Sequence, residues 1–388
     1  MQRHSATQRP LRVVHLDHTV EPGGAELALV RLVSGAHTDW VPCLAVPAPD
    51  GCGVFSAAAD AGVKMVSVGA AQAAGAATAG FAGAGRFAGA ILHQAAQLRW
   101  NKTFRGADVV HANSTRSAVY GALAVWGRRV PLVVHLRDRI EPTALGRPGY
   151  AMFRLTALRR ATSFIANSES TADTVRPFLR KGQRVVVIPS PAGVDRGEPL
   201  DGSTTGPVRI GMVARLDEWK GQREVLEAFS RAELGSRASL TFFGAATLGT
   251  TAYPQMLRQR AQGHDNVHFA GHVDDVSAAI DGLDLCVQYS TRPEPMGQNV
   301  LQYLARARPV VAANEGGPAE WITSGDNGVL VPPRDVAALA RTFAELVGDP
   351  QLRVRLSRGA AKTSVPTDAD SIRAHSAVFQ DAVRRFAH

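Results

Sequence analysis

The chain reads as an α/β protein built from two Rossmann-like, doubly wound domains, and three observations predict this. Short aliphatic runs alternate with helical segments along all 388 residues, the pattern of a parallel sheet covered on both faces. The series pauses at Pro189 to Gly206, a stretch rich in Pro, Gly, Asp and Ser, and then begins again. The chain is also too long for one ordinary core and comfortable for two.

In the first series, strands are expected at Arg12 to Leu16, Trp40 to Val46, Val63 to Val68, Val109 to Ala112, Leu132 to Leu136, Ser163 to Asn167 and Val185 to Pro189. The second runs through Val208 to Val213, Ala238 to Phe243, Val267 to Ala270, Leu283 to Gln288, Pro309 to Ala312 and Gly328 to Val331. Domains 1–198 and 199–368 follow. Ligands of such sheets lie beyond the carboxyl ends of the strands, so an active site is expected in a cleft between the two domains.

Hydrophobic residues at 45% and charged residues at 20% exclude a disordered or fibrous chain. Cys43, Cys52 and Cys286 are too sparse for a disulfide framework or a zinc site. Met1 to Pro10 is polar and lacks the apolar core of a signal peptide. The best candidate for a membrane span, Gly69 to Leu92, places Gln72 and Arg86 among Ala and Gly and reads as loop plus helix. A cytoplasmic protein is expected.

The net charge of +9 favours anionic partners. Eight cations lie between Arg147 and Arg184 against Glu169 and Asp173. Solvated helix faces and peripheral contact with an anionic inner-membrane surface suit that run equally. No basic motif interleaved with aromatic residues occurs, so no nucleic-acid partner is expected.

Three loops carry candidate chemistry. Gly23 and Gly24, between the first strand and an apolar helix, let backbone approach a phosphate, although a Gly-Gly turn by itself is a plain corner more often than a ligand loop. Arg215 and Lys220 flank a turn at a strand's carboxyl end, where a bidentate fork and a point charge converge on a diphosphate. Glu294 precedes a helix start at Gly297, Gln298, Asn299 and Val300, with Gln302 one turn inside. A carboxylate there accepts from sugar hydroxyls, and helix N–H groups suit an anion.

Taken in order, these pieces resemble a family 4 retaining glycosyltransferase of the GT-B fold. The resemblance rests on Gly23-Gly24-x-Glu26, His135, Ile188-Pro189, Gly193-Val194-Asp195, Arg215 with Lys220-Gly221, Phe243-Gly244, Gly271 to Asp275, Glu294 with its spacer, and Glu315 to Glu320. It implies a nucleotide-diphosphate sugar donor, a UDP-sugar before a GDP-sugar. Arg215 and Lys220 would neutralise the leaving diphosphate, Glu294 would hold sugar hydroxyls, and His135 would contact the transferred sugar. Gly23 and Gly24 would meet the donor phosphate or the acceptor. Gly244, His272 and Val273 would border the base, and Gly297 to Val300 would support sugar and phosphate. The segment 369–388 would form a helix that returns to the first domain.

The family's usual Glu at the second end of the spacer is Gln302 here. Its amide oxygen accepts a ribose hydroxyl, without the charge. Asn113, Arg116 and Asp138 are acceptor-side candidates. Two cations and a helix start on the phosphate imply no metal and no cofactor, and Asp368-Ala-Asp370 reads as a cap or turn. The acceptor and the oligomeric state are not encoded in these motifs. The competing readings are a non-catalytic nucleotide-sugar binder of the same fold and an epimerase, for which no acid–base carboxylates stand out.

Overall fold

A computed structural model of the protein describes residues 9–36, 39–47, 51–69, 81–203, 206–246 and 251–386. Thirteen strands among them form two all-parallel sheets. The first holds β1 (Leu11–Leu16), β2 (Trp40–Val46), β3 (Lys64–Ser67), β4 (Val109–Ala112), β5 (Leu132–Leu136), β6 (Ser163–Ala166) and β7 (Arg184–Val187), in the order β3-β2-β1-β4-β5-β6-β7. The second holds β8 (Val208–Val213), β9 (Ala238–Phe243), β10 (Val267–Gly271), β11 (Leu285–Gln288), β12 (Val310–Ala313) and β13 (Gly328–Val331), in the order β10-β9-β8-β11-β12-β13. All thirteen expected strands are present, shifted by a residue or two at their ends. In both sheets the order reverses once, between β1 and β4 and between β8 and β11, which creates the crevice such folds use for ligands.

The chain divides into two compact units. One runs to Ser190 and resumes at Thr367; the other is Pro191–Pro366. Pro191 to Glu198 goes with the second unit because side chains there hold its carbonyls. Gln298 Nε2 donates to Pro191 O and Ala192 O at 2.6 and 2.9 Å. Arg306 reaches Asp195 O at 3.0 Å and Arg308 reaches Glu198 O at 2.8 Å.

Alternation along the first sheet loads its two faces differently. Val14, Leu16, Val110, Ala112, Val134 and Leu136 pack in one cluster with Ile91, Leu98, Ala118 and Ala122, from the helices Phe81–Trp100 and Thr115–Ala124. Val13, Val109, Val133 and Ile165 pack on the other side with Leu29, Leu32, Ile372, Val378 and Phe379. The last three belong to the C-terminal helix Asp368–Phe386, which therefore lies against the first sheet. Its start is capped by Asp370, whose carboxylate accepts from Thr367 N and Oγ1 at 3.2 and 2.6 Å. Residues 387 and 388 of the expected helix lie outside the described residues, as do residues 70–80 of the segment read as loop plus helix. No described helix is long and apolar enough to cross a membrane.

Candidate functional site

In the second unit, Arg215 and Lys220 follow β8 and Glu294 follows β11, so both loops open on the β8/β11 reversal. Lys220 Nζ donates to both carboxylate oxygens of Glu294 at 2.8 Å each. Ser290 Oγ donates to Glu294 Oε2 at 2.7 Å and itself accepts from Gln288 Nε2 at 2.8 Å. Glu294 is 9% exposed. Removal from water makes each of these charge-assisted bonds stronger than a surface pair. Lys220 also lies 4.0 Å from the centroid of the Trp219 ring, within cation–π range. Arg215 is exposed and pairs with Asp217 at 3.3 Å.

Tight backbone contacts set these loops. Gly221 has φ of 83°, and a Cβ on it would fall 1.8 Å from Tyr289 O. No other residue lets the loops after β8 and β11 touch so closely. Gly244 brings the end of β9 equally near Ala214, where a Cβ would meet its carbonyl oxygen at 2.1 Å. Gly297 caps the helix Gln298–Ala305. At that helix start Val300 is buried, and its N–H donates to Gly297 O at 2.9 Å. Asn299 Nδ2 donates to Val213 O at 3.3 Å. The side chains of Gln298 and Asn299 thus hold the fold, Gln302 is half-buried, His272 is exposed and Val273 is half-buried.

The first unit assembles a second polar group at the β1/β4 reversal. Asp17, just past β1, is fully buried. It accepts from Asn113 Nδ2 at 2.6 Å and pairs with His18 Nδ1 at 3.0 Å. Arg137, just past β5, donates to Asn113 Oδ1 at 2.7 and 3.2 Å and to Ser190 Oγ at 2.6 Å. Burial lowers the Arg137 guanidinium to about 10, and Glu26 and Asp17 oppose that fall. Glu26 lies on the helix that follows the Gly23-Gly24 turn. Burial first, and the Asp17 charge second, push its carboxyl up to about 7. Gly23 is small for a local reason: a Cβ there would fall 2.4 Å from Glu26 Oε2. Gly24 has open space around its Cβ position. Of the acceptor candidates, Asn113 is central to this network, Arg116 is half-buried and Asp138 is exposed.

His135 is elsewhere. It is 1% exposed and faces the covered side of the sheet, with His15, His111 and His375. Neutral forms follow from burial, which lowers His15 to about 3 and His375 to about 4 and takes His111 and His135 well below the usual imidazole value. Donor–acceptor consistency then assigns their protons. Trp40 Nε1 donates to His15 Nε2 at 3.0 Å, so His15 donates through Nδ1 to His111 Nδ1 at 2.9 Å. The His111 proton is left on Nε2. At the other end His375 Nδ1 donates to Ser371 O at 2.7 Å and offers its Nε2 lone pair to His135 Nδ1 at 3.5 Å.

His111, His135 and His375 offer nitrogens within 4.8 Å of one another, a spacing open to a metal ion. Coordination at His111 Nε2 would move its proton to Nδ1 and set His15 N–H against Trp40 N–H. The group is two separate hydrogen-bonded pairs of neutral imidazoles, His15 with His111 and His135 with His375, and the buried Nε2 atoms of His111 and His135 have no hydrogen-bond partner among the described residues. Asp17, His18 and Glu26 form the other described set with metal-ligating chemistry.

Sequence reading singled out Arg215, Lys220 and Glu294 and missed Asp17, Glu26 and Arg137 as partners. A signal was there. Val13-Val14-His15-Leu-Asp17, Val109-Val110-His111-Ala-Asn113 and Val133-Val134-His135-Leu-Arg137 repeat one pattern, and the polar residue two past each histidine enters the network.

Two family descriptions match the chain: glycosyl transferases group 1 over residues 201–363 and glycosyltransferase family 4 over residues 69–196. A Mycobacterium tuberculosis glycogen synthase is 31% identical over 68% of this chain and 65% of its own length. A Rhizobium meliloti lipopolysaccharide core biosynthesis glycosyltransferase, LpsE, is 28% identical over 55% of this chain and 62% of its own. The chain thus spans a little under two thirds of these curated relatives. Among solved structures, Anabaena HepE in complex with UDP and glucose superposes with a TM-score of 0.78 at 23% identity, covering 95% of this chain and 99% of that one. Two doubly wound sheets and matches in both units lead to one assignment: the chain belongs to the family 4, group 1 glycosyltransferases of the GT-B fold.

Proposed function

We propose that the protein transfers a hexose from a nucleotide-diphosphate sugar to an acceptor hydroxyl with retention of configuration. The observation that carries this is the Lys220–Glu294 pair at the β8/β11 reversal, with Arg215 on the same loop. When the anomeric bond breaks, negative charge grows on the diphosphate, and fixed cations lower the energy of that state more than of the bound substrate. Glu294, held by Lys220 and Ser290, is pre-set to accept from sugar hydroxyls. UDP is the favoured base carrier, since HepE is described with UDP and glucose. The two cations make a divalent ion dispensable in this reading. On the first unit, Asp17, Asn113 and Arg137 receive the acceptor, and Glu26 adjusts its proton to what binds there. Three free thiols, Cys43, Cys52 and Cys286, suit the reducing cytoplasm.

The test is thermal stability with UDP, GDP, ADP and dTDP, each with and without magnesium, followed by transfer or hydrolysis of the matching sugar nucleotide. Saturating ligand should add roughly 2–3 kcal/mol with UDP alone, and Lys220→Ala should remove that gain. Stabilisation that needs magnesium overturns the metal-free reading. Stabilisation without turnover of any sugar nucleotide leaves the protein a non-catalytic binder.

A further inference from the structure

The strands of a parallel sheet all begin at one edge, and in the first unit that edge has an unusual surface. Trp100 is 72% exposed and Trp126 is 55% exposed. Large indoles in water are costly, and a soluble surface carries few of them. Both sit at helix ends on this edge. Trp100 closes the helix Phe81–Trp100, and Trp126 follows the helix Thr115–Ala124.

Three arginines join these segments into one face. Arg99 Nη1 donates to Trp126 O at 2.8 Å and to Ala124 O at 3.1 Å. Arg128 donates to Arg105 O at 3.1 Å and to Arg99 O at 3.4 Å. Arg160 donates to Val125 O, Arg128 O and Val130 O, at 3.2, 2.9 and 2.9 Å. Its guanidinium lies 5.4 Å from the Phe386 ring centroid, and Phe386 is 37% exposed.

Charge on the same face is one-sided. Lys102, Arg105 and Arg129 are exposed around the two tryptophans. Asp108, the carboxylate before β4, is already engaged by Arg9 at 2.8 Å and by Arg12 at 3.6 Å, and Asp39 and Asp60 precede β2 and β3, on the far side of β1 from β4 and β5. The basic run from Arg147 to Arg184 makes a weaker surface. Within it Arg176 is paired with both Glu169 and Asp173, and Arg154 stacks on Phe178 with its guanidinium 4.3 Å from the ring centroid.

We propose that this strand-start edge of the first unit is a membrane-contact surface, with Trp100 and Trp126 entering the headgroup layer and Lys102, Arg105 and Arg129 binding anionic lipid headgroups. Tryptophan favours that layer because its ring is apolar and its N–H needs a polar partner. Basic side chains beside it are drawn by the negative surface potential. A nucleic-acid partner fits less well, because indoles set between helix ends form no continuous stacking platform along a groove. The face is at the opposite end of the first sheet from Asp17, Asn113 and Arg137, so anchoring leaves that network open. This goes beyond the transfer reaction and stands whatever the donor.

The full chain is incubated with vesicles of phosphatidylglycerol and phosphatidylcholine in equal parts, and with pure phosphatidylcholine. Co-sedimentation and tryptophan emission are read. Binding to the anionic vesicles with a blue shift, weakened by added salt, is expected. Trp100→Ser with Trp126→Ser should abolish the blue shift and weaken partitioning roughly tenfold. Lys102→Glu with Arg105→Glu should do the same to partitioning. UDP-induced thermal stabilisation of both variants should match that of the parent, which separates this outcome from failure of the donor site. Equal binding to both vesicle types, no binding, or unaltered binding by the variants overturns the proposal. So does tighter salt-sensitive binding to duplex DNA than to the vesicles.

Discussion

The two sheet reversals make an informative pair. The one between β8 and β11 is closed by an ion pair, Lys220 with Glu294, in which each charge already has its counter-charge. The one between β1 and β4 gathers two carboxylates, Asp17 and Glu26, beside Arg137, and burial leaves the Glu26 carboxyl near neutrality in its titration. Fixed charge suits a leaving group that gains negative charge without exchanging a proton, such as a diphosphate. An adjustable carboxyl suits a partner whose proton is handled during the reaction. The same topology therefore presents a constant field in one unit and a variable one in the other.

The interiors differ as well. The first unit buries His15, His111, His135 and His375, while no histidine is buried among the described residues of the second. Acid should break this comparison first, and by the most. Each of these imidazoles is neutral in the fold and takes up a proton on unfolding near pH 6.5, so its contribution is intact above that value. It is lost as the pH falls toward the depressed folded values, about 4 for His375 and about 3 for His15. Each such group costs about 1.4 kcal/mol per pH unit in that window. Melting followed from pH 7.5 to 5 should show the first unit unfolding early, and His375→Gln should flatten the dependence. A pH-independent melting point contradicts the neutral state of these buried imidazoles.

The next effect is on rate. Lys220→Ala should cut sugar transfer by about 10²–10³-fold and also reduce stability, because it leaves the Glu294 charge uncompensated. Glu294→Gln, which keeps the shape and removes the charge, should cost turnover more than UDP affinity. If both variants turn over at the parent rate, the β8/β11 crevice is not the donor site.

A smaller effect sharpens the contrast. Glu26→Gln should leave UDP stabilisation unchanged while removing an inflection near pH 7 from the rate profile. An unaltered profile would detach Glu26 from the reaction. The smallest change is expected from Gln302→Glu, which restores a charged acceptor. A gain of about 1 kcal/mol, or roughly fivefold in UDP affinity, is the difference between charged and neutral hydrogen bonds. Calorimetric titration of UDP into both proteins reads it directly.

The fold and one of the two polar groups could be read from the chain alone. Aliphatic runs at regular intervals dictate parallel strands because each strand is buried on both faces. The Arg215 to Gly221 loop and the Glu294 to Gln302 loop each keep their chemistry within a few residues, so spacing exposes it. Even there, the sequence could not show that Lys220 and Glu294 hold each other, since their loops meet only because Gly221 lacks a Cβ beside Tyr289.

Tertiary structure alone decided the first unit's chemistry. Asp17, Asn113 and Arg137 come from three strands and touch only after the sheet forms. Strand alternation turns His135 toward the C-terminal helix, so the imidazole that reads as a sugar contact lies in the core, and Arg137, two residues on, reaches the polar network in its place. Sequence determines which side chains are available and their period along each strand. Which of them stand at the edge, and which of them lose water and change their proton affinity, depends on neighbours that are distant in the chain.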